Sequence, residues 1–310
     1  MEYLEFGTQK AQVSKVMLGL MRIDKMSVPE VTELVEGALD AGINALDIAD
    51  VYGLGKCESI LGEVFKANPG LRDKVFLQTK FGIRKEESGF TWYDFSKDYL
   101  VKAADACLER LGVDHVDCLL LHRPDVLMVG EDVAEVMDGL VASGKILDWG
   151  VSNQNPATMR RIARYAKTKM VTTQMQLSCA FAPAFDAFFN VNMENDEAIM
   201  REGGVFEYCL EHDMVIQTWS AFQYGYFGGS FLGSEKFPEL NAVLERMAAE
   251  QGVTPAAVAL AWILRYPGKM QAVIGTTKLH RVQDSAKACD VTLSERDWYE
   301  IYQAAGKVMP

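Results

Sequence analysis

Apolar positions along the chain follow two rhythms. Short continuous apolar runs recur, and between them lie stretches where apolar residues return every third or fourth position. The first pattern predicts buried strands and the second amphipathic helices. Residues 4–8 and 11–14 read as a small hairpin with Gly7 near its turn. A first buried strand follows over 15–20. Residues 29–41 carry Val31, Leu34, Val35, Ala38 and Leu39 at helical spacing, with Pro29 suited to the first turn. A second strand covers 43–48, and its helix, marked by Ile60, Leu61, Val64 and Phe65, runs to about residue 67. The third strand, 75–80, ends on Lys80. After it come a polar and aromatic loop over 84–93 and a helix over 96–111 with Ser96 as its cap.

The fourth strand, 116–122, ends on His122, and Arg123-Pro124 stops it. Helices are expected over 131–142, 156–165, about 196–211, 239–250 and 255–266, with strands at 146–151, 170–175, 214–219 and 271–274. Residues 177–195 have no clean period, and 222–237 form a loop rich in glycine and aromatics. A short helix and a last helix opened by Ser294 close the chain. Eight strand-like runs, nearly all separated by helices, predict an α/β chain folded as a (β/α)8 barrel, a TIM barrel with a short N-terminal β-hairpin. A doubly wound open sheet is the alternative. Even spacing without a linker-like stretch favours one domain over 1–310.

Composition narrows the function. With 310 residues, 49% of them hydrophobic, there is enough chain for a full core. A net charge of -12 argues against a nucleic-acid partner, because it leaves no surplus to neutralise phosphates. No apolar run is long enough to span a bilayer, and Met1-Glu2-Tyr3-Leu4-Glu5 lacks the basic and apolar regions of a signal peptide. The six cysteines are scattered singly, which fits buried thiols in a reducing compartment, so a cytoplasmic location is expected. A monomer or weak homo-oligomer is the expected assembly.

In a barrel the C-terminal ends of the strands converge on one face, where sites are built. Asp47, Tyr52, Lys80 and His122 fall at or near such ends. An acid in an apolar strand is costly to bury without a cation beside it. A tyrosine, with a reference pKa of about 10, is a poor proton donor or acceptor at neutral pH until a nearby ammonium favours its phenolate. A carboxylate would fix that ammonium, and a histidine can hydrogen-bond a substrate oxygen. This set can deliver a proton to a carbonyl oxygen while something else supplies hydride. Gly53-Leu54-Gly55 imitates a dinucleotide fingerprint but has Glu58 where the third glycine belongs, so a tight turn is the better reading.

Several further stretches complete a pattern: Asp47-Ile48-Ala49-Asp50-Val51-Tyr52-Gly53 with Glu58, Thr79-Lys80-Phe81-Gly82, Leu120-Leu121-His122-Arg123-Pro124-Asp125, Gly150-Val151-Ser152-Asn153, Gln174, Trp219-Ser220 and Ile274-Gly275-Thr276. In this order they resemble the aldo-keto reductase signatures, bacterial members more than mammalian ones. The resemblance implies a barrel that binds NAD(P)H without a Rossmann fold, with Asp47, Tyr52, Lys80 and His122 as catalytic tetrad and Tyr52 as general acid in reduction. It implies further that Ser152, Asn153 and Gln174 hold the nicotinamide carboxamide and that Trp219 stacks on its ring. Ser220, Ala221 and the loop beyond would meet the pyrophosphate, and Gly19 and Met21 match first-strand cofactor contacts. At the adenosine end stand Gly275, Thr276, Lys278, Arg281, Asp284 and Ser285. Because a 2′-phosphate wants cationic donors, Thr276, Lys278 and Arg281 favour NADPH over NADH.

The expected partner is a small carbonyl compound. Met21, Trp92, Tyr93, Phe181, Phe222, Tyr224, Tyr226 and Phe227 lie in loops on the predicted active face and suggest an apolar pocket around Tyr52 and His122. Two other classes compete: a cofactor-binding regulatory module on the same barrel, as the resemblance allows, and a metal-dependent hydrolase using Asp47 and His122. The second is disfavoured because none of the four histidines pairs with another at ligand spacing.

Overall fold

A computed structural model describes residues 1–310. Two strands, β1 (Tyr3–Phe6) and β2 (Ala11–Ser14), pair antiparallel as the expected hairpin. Eight others close a parallel barrel. In chain order these are β3 (Val16–Gly19), β4 (Ala45–Asp47), β5 (Phe76–Phe81), β8 (Val116–Leu121), β9 (Ile146–Ser152), β10 (Met170–Gln176), β11 (Val215–Trp219) and β12 (Lys269–Ile274), the last pairing back onto the first. The open-sheet alternative is thereby set aside. Between β5 and β8 lie two short antiparallel strands, β6 (Ile83–Lys85) and β7 (Thr91–Tyr93).

The hairpin seals the N-terminal end of the barrel. Leu4, Phe6 and Val13 join Met17, Phe76, Leu120, Val171 and Val215 in an apolar plug, and the Thr8 amide and hydroxyl donate to the Asp148 carboxylate on β9. Most remaining buried apolar side chains form one continuous cluster between barrel and helices. The helix Val28–Asp40 starts with a capping box, Ser27 and Glu30 reciprocally bonded. The last helix, Glu295–Ala304, does the same with Ser294 and Asp297.

Three expectations need correction. The loop over 84–93 is a hairpin; its strands are three residues each and half-buried at best, too short for alternation to show. Within the aperiodic 177–195, Pro183–Phe189 forms a helix whose aromatic crowding hides its period. The helix expected from residue 196 begins only at Val205, because Gly203 and Gly204 both adopt left-handed backbone (φ 74° and 79°) and break the chain there. No single helix is long and apolar enough to cross a membrane.

Candidate active site

Lys80 lies on the interior face of β5 with no solvent exposure, and its Nζ donates to Asp47 Oδ1 at 2.6 Å and to the Ile48 carbonyl at 2.9 Å. Asp47 closes β4, next to β5 in the barrel. Tyr52 follows β4 by five residues, and directly after it the chain turns through Gly53, Leu54 and Gly55, all left-handed, into the helix Lys56–Ala67. The Lys80 ammonium sits 5.2 Å from the Tyr52 ring centroid. His122, one residue past β8 and still hydrogen-bonded through its amide to Phe81, meets the Tyr52 ring edge-on at 5.7 Å. The four residues picked from sequence therefore come together.

Glu58 explains why the turn holds its place. It is fully buried on the helix Lys56–Ala67, accepts from Thr79 Oγ1 at 2.5 Å on β5, and pairs with Arg110 at 2.7 Å. It thus ties the helix that follows Tyr52 to the residue preceding Lys80. In the sequence Glu58 stood out mainly as the residue that spoils a glycine pattern.

A layer of glutamines beneath the tetrad is a feature sequence reasoning passed over. Register aligns Gln174 with Gln217, Gln217 with Gln271, and Asp47 with Gln78. Gln78 Nε2 donates to Asp47 Oδ1 at 2.7 Å and to Gln217 Oε1 at 2.9 Å, and Gln174 Nε2 reaches Asp47 Oδ1 at 3.1 Å. Gln217 in turn donates to Gln78 and Gln271, and Gln271 to the Ser14 carbonyl at the hairpin. All four amides are buried. The signal was available for Gln217, which interrupts a run otherwise apolar or β-branched, and for Gln78, which precedes Thr79-Lys80 in a largely apolar one.

Charge in this site is set by burial against one cation. Burial pushes the Tyr52 phenol above its ordinary value; Lys80 pulls it down without overcoming that effect. The expected net lowering does not occur, because burial outweighs the ammonium and the Asp47 carboxylate also opposes ionisation of the phenol. Burial opposes the charged form of Lys80, yet Asp47 and Tyr52 carry its pKa above the usual lysine value. Burial, with Lys80 and Arg123 nearby, holds His122 well below the ordinary histidine range, so the ring is neutral. Its Nδ1 is sealed from solvent without a partner.

Next to the tetrad the expected nicotinamide residues form one hydrogen-bonded group. The Ser152 hydroxyl donates to the Gln174 carbonyl at 3.1 Å, Asn153 Nδ2 to Ser152 Oγ at 2.7 Å, and Trp219 Nε1 to Asn153 Oδ1 at 3.1 Å. Gln174 links this group to Asp47, and with Nε2 committed twice its Oε1 remains the free acceptor. Asn153 and Ser220 both take left-handed backbone at their strand ends. Gly19 closes β3 and pairs with Asp47, Met21 is exposed just beyond it, and Ala221 is buried behind Ser220.

Past β12, Gly275, Lys278 and Arg281 are exposed, and the Thr276 hydroxyl accepts from the Lys278 amide. Asp284 pairs with Lys287, while the buried Ser285 donates to the Arg281 carbonyl within its own helix. Trp92 lies on the β6–β7 hairpin against Arg84, at 5.0 Å. Phe222 is half-buried beyond Trp219, and Tyr226 and Phe227 are exposed in the same loop. Trp92, Phe222 and Ser285 form no hydrogen bond and no ring stacking with Asp47, Tyr52, Lys80 or His122.

The model of the aldo/keto reductase family matches residues 15–305. The chain belongs to that family. It is 35% identical over 306 residues to a 6-dehydroglucose reductase of Agrobacterium fabrum, covering 96% of each chain. To a 6-dehydroglucose reductase of Novosphingobium aromaticivorans it is 33% identical over 320 residues, covering 99% of this chain and 97% of that one. Among solved structures, the aldo-keto reductase of Klebsiella pneumoniae in complex with NADPH superposes with a TM-score of 0.75 at 23% identity, covering 100% of this chain and 96% of that one. That likeness extends the fold match around the whole barrel.

Proposed function

We propose that this aldo/keto reductase reduces aldehydes or ketones to alcohols with NADPH, using Asp47, Tyr52, Lys80 and His122. The observation that carries the proposal is the buried Asp47–Lys80 pair under Tyr52, joined through Gln174 to the Ser152–Asn153–Trp219 group. The residues fit the cofactor: Gln174 Oε1 is free to accept from a carboxamide, and Trp219 offers an aromatic face. Lys278 and Arg281 are exposed without a carboxylate partner, which suits a 2′-phosphate. When bound, NADPH supplies the hydride that reaches the carbonyl carbon.

The chain's own groups then manage the proton. A phenol held above its ordinary pKa stays protonated across the neutral range, the form a general acid in reduction requires. Lys80, fixed by Asp47 and the Ile48 carbonyl, stabilises the phenolate left after that proton is given to the carbonyl oxygen. Neutral His122 hydrogen-bonds the same oxygen without adding a competing charge. Because the relatives in Agrobacterium fabrum and Novosphingobium aromaticivorans are named for 6-dehydroglucose, that aldehyde belongs in the first substrate panel.

The test is Tyr52→Phe. Turnover should fall by about 10²- to 10⁴-fold, while NADPH titrated against tryptophan fluorescence binds with wild-type affinity. Near-normal turnover in this variant would remove Tyr52 from the role.

A further inference from the structure

Four arginines are half-buried in this protein: Arg72, Arg84, Arg110 and Arg123. Three hold carboxylates, Arg72 with Asp117 at 2.9 Å, Arg84 with Asp94 at 3.1 Å and Arg110 with Glu58 at 2.7 Å. Arg123 holds none, and its side chain makes no protein hydrogen bond. It follows His122 directly in the chain, and its guanidinium lies 5.7 Å from the Trp219 ring and 5.8 Å from the Tyr226 ring. Aromatic faces offset part of the lost hydration of a cation. The rings supply no conventional hydrogen-bond acceptor, so the five N–H donors of the guanidinium stay without a protein partner. In a chain of net charge -12, the carbonyl site is thus flanked by a cation whose donors have no internal acceptor.

We propose that Arg123 anchors an anionic substituent of the substrate, so that the enzyme favours short aldehydes or ketones bearing a carboxylate, sulfonate or phosphate. The proposal rests on the reductase reading above and adds the substrate's charge. The planar fork of guanidinium matches the paired oxygens of such anions, and the contact forms where water is partly excluded. Its neighbour His122 meanwhile engages the carbonyl oxygen. The two adjacent residues therefore read the two ends of one small molecule.

The experiment compares kcat/KM for succinate semialdehyde and butanal, matched in carbon number and differing in charge, in wild type and Arg123→Gln. Wild type should prefer the semialdehyde. In the variant the anionic-to-neutral ratio should fall about 10- to 100-fold, the loss typical of a charge-assisted contact, chiefly through KM, and Arg123→Lys should recover part of it. An unchanged ratio overturns the proposal. So does a loss on neutral 6-dehydroglucose as large as that on the semialdehyde, which would make Arg123 a hydroxyl donor instead. If wild type reduces no carbonyl at all, the reductase reading fails, and Arg123 is judged by calorimetric titration of butyrate into the protein with NADP⁺. Weaker butyrate binding in Arg123→Gln then supports the anion site, and equal binding overturns it.

Discussion

Breaking the Asp47–Lys80 pair should cost more stability than any surface ion pair in the molecule. Both side chains are essentially sealed from solvent, at 5% and 0% exposure, and their contact is 2.6 Å. Removing one member of a buried pair leaves an uncompensated charge and costs about 3–5 kcal/mol. After Lys80→Met the Asp47 carboxylate keeps the amide donors of Gln78 and Gln174, which places the loss near ~3 kcal/mol. For 310 residues that corresponds to a fall in Tm of about 5 °C, taking an unfolding entropy of ~2 cal/mol/K per residue. Asp47→Asn strands a buried ammonium with one backbone carbonyl and amide neighbours, and should cost a similar amount. The double variant buries no charge at this point, so it should lose less than the two single losses combined, by about 2 kcal/mol or more. Urea unfolding followed by tryptophan fluorescence measures all four proteins. Additive losses would show that the two groups do not interact in the folded protein, and the electrostatic account of Tyr52 would fall with them.

Two other perturbations probe the surroundings of the site. Burial, reinforced by Glu58, pushes the Asp50 carboxyl up to about 7, and one of its oxygens has no hydrogen-bond partner. A carboxyl raised on folding stabilises fully below its unfolded pKa of about 4, and that contribution is lost as pH rises through the folded value. Asp50→Asn, which cannot ionise, should therefore gain stability over wild type progressively from pH 4 to pH 7 and level off above; a difference in Tm that does not change with pH refutes this. Gly62 lies where the helix Lys56–Ala67 crosses the end of Lys97–Leu111, and a Cβ there would run into the Arg110 carbonyl and sit 2.9 Å from the Leu111 carbonyl carbon. Gly62→Ala should thus lose ~1–3 kcal/mol to overpacking against rigid backbone, outweighing the ~1 kcal/mol that alanine gains in a helix; a raised Tm would contradict the close approach.

Much of the site was legible because its chemistry sits at strand ends. Lys80 and His122 stand out where an apolar run stops, and Asp47 stands out as an acid inside one. Burial on both sides of a barrel strand demands continuous apolar sequence, so each exception is conspicuous. The same logic could have flagged Gln78, Gln217 and Gln271, but a neutral amide in a strand carries no charge to force the question of its partner. The hairpin over 83–93 and the break at Gly203-Gly204 were hidden for a different reason, since short elements contain too few residues for a period to appear.

By itself the sequence determined the number and order of the barrel elements, the acid–lysine–tyrosine–histidine set and the shortage of positive charge, all of which depend on local pattern and residue type. Tertiary structure alone decided what each group faces. Register around the closed barrel turned isolated glutamines into one network under Asp47, and desolvation outweighed the ammonium at Tyr52. Closure also left Arg123 without a carboxylate while three other half-buried arginines found theirs. Such outcomes depend on distances between residues far apart in the chain and on the exclusion of water between them, and neither is a property of any local stretch of sequence.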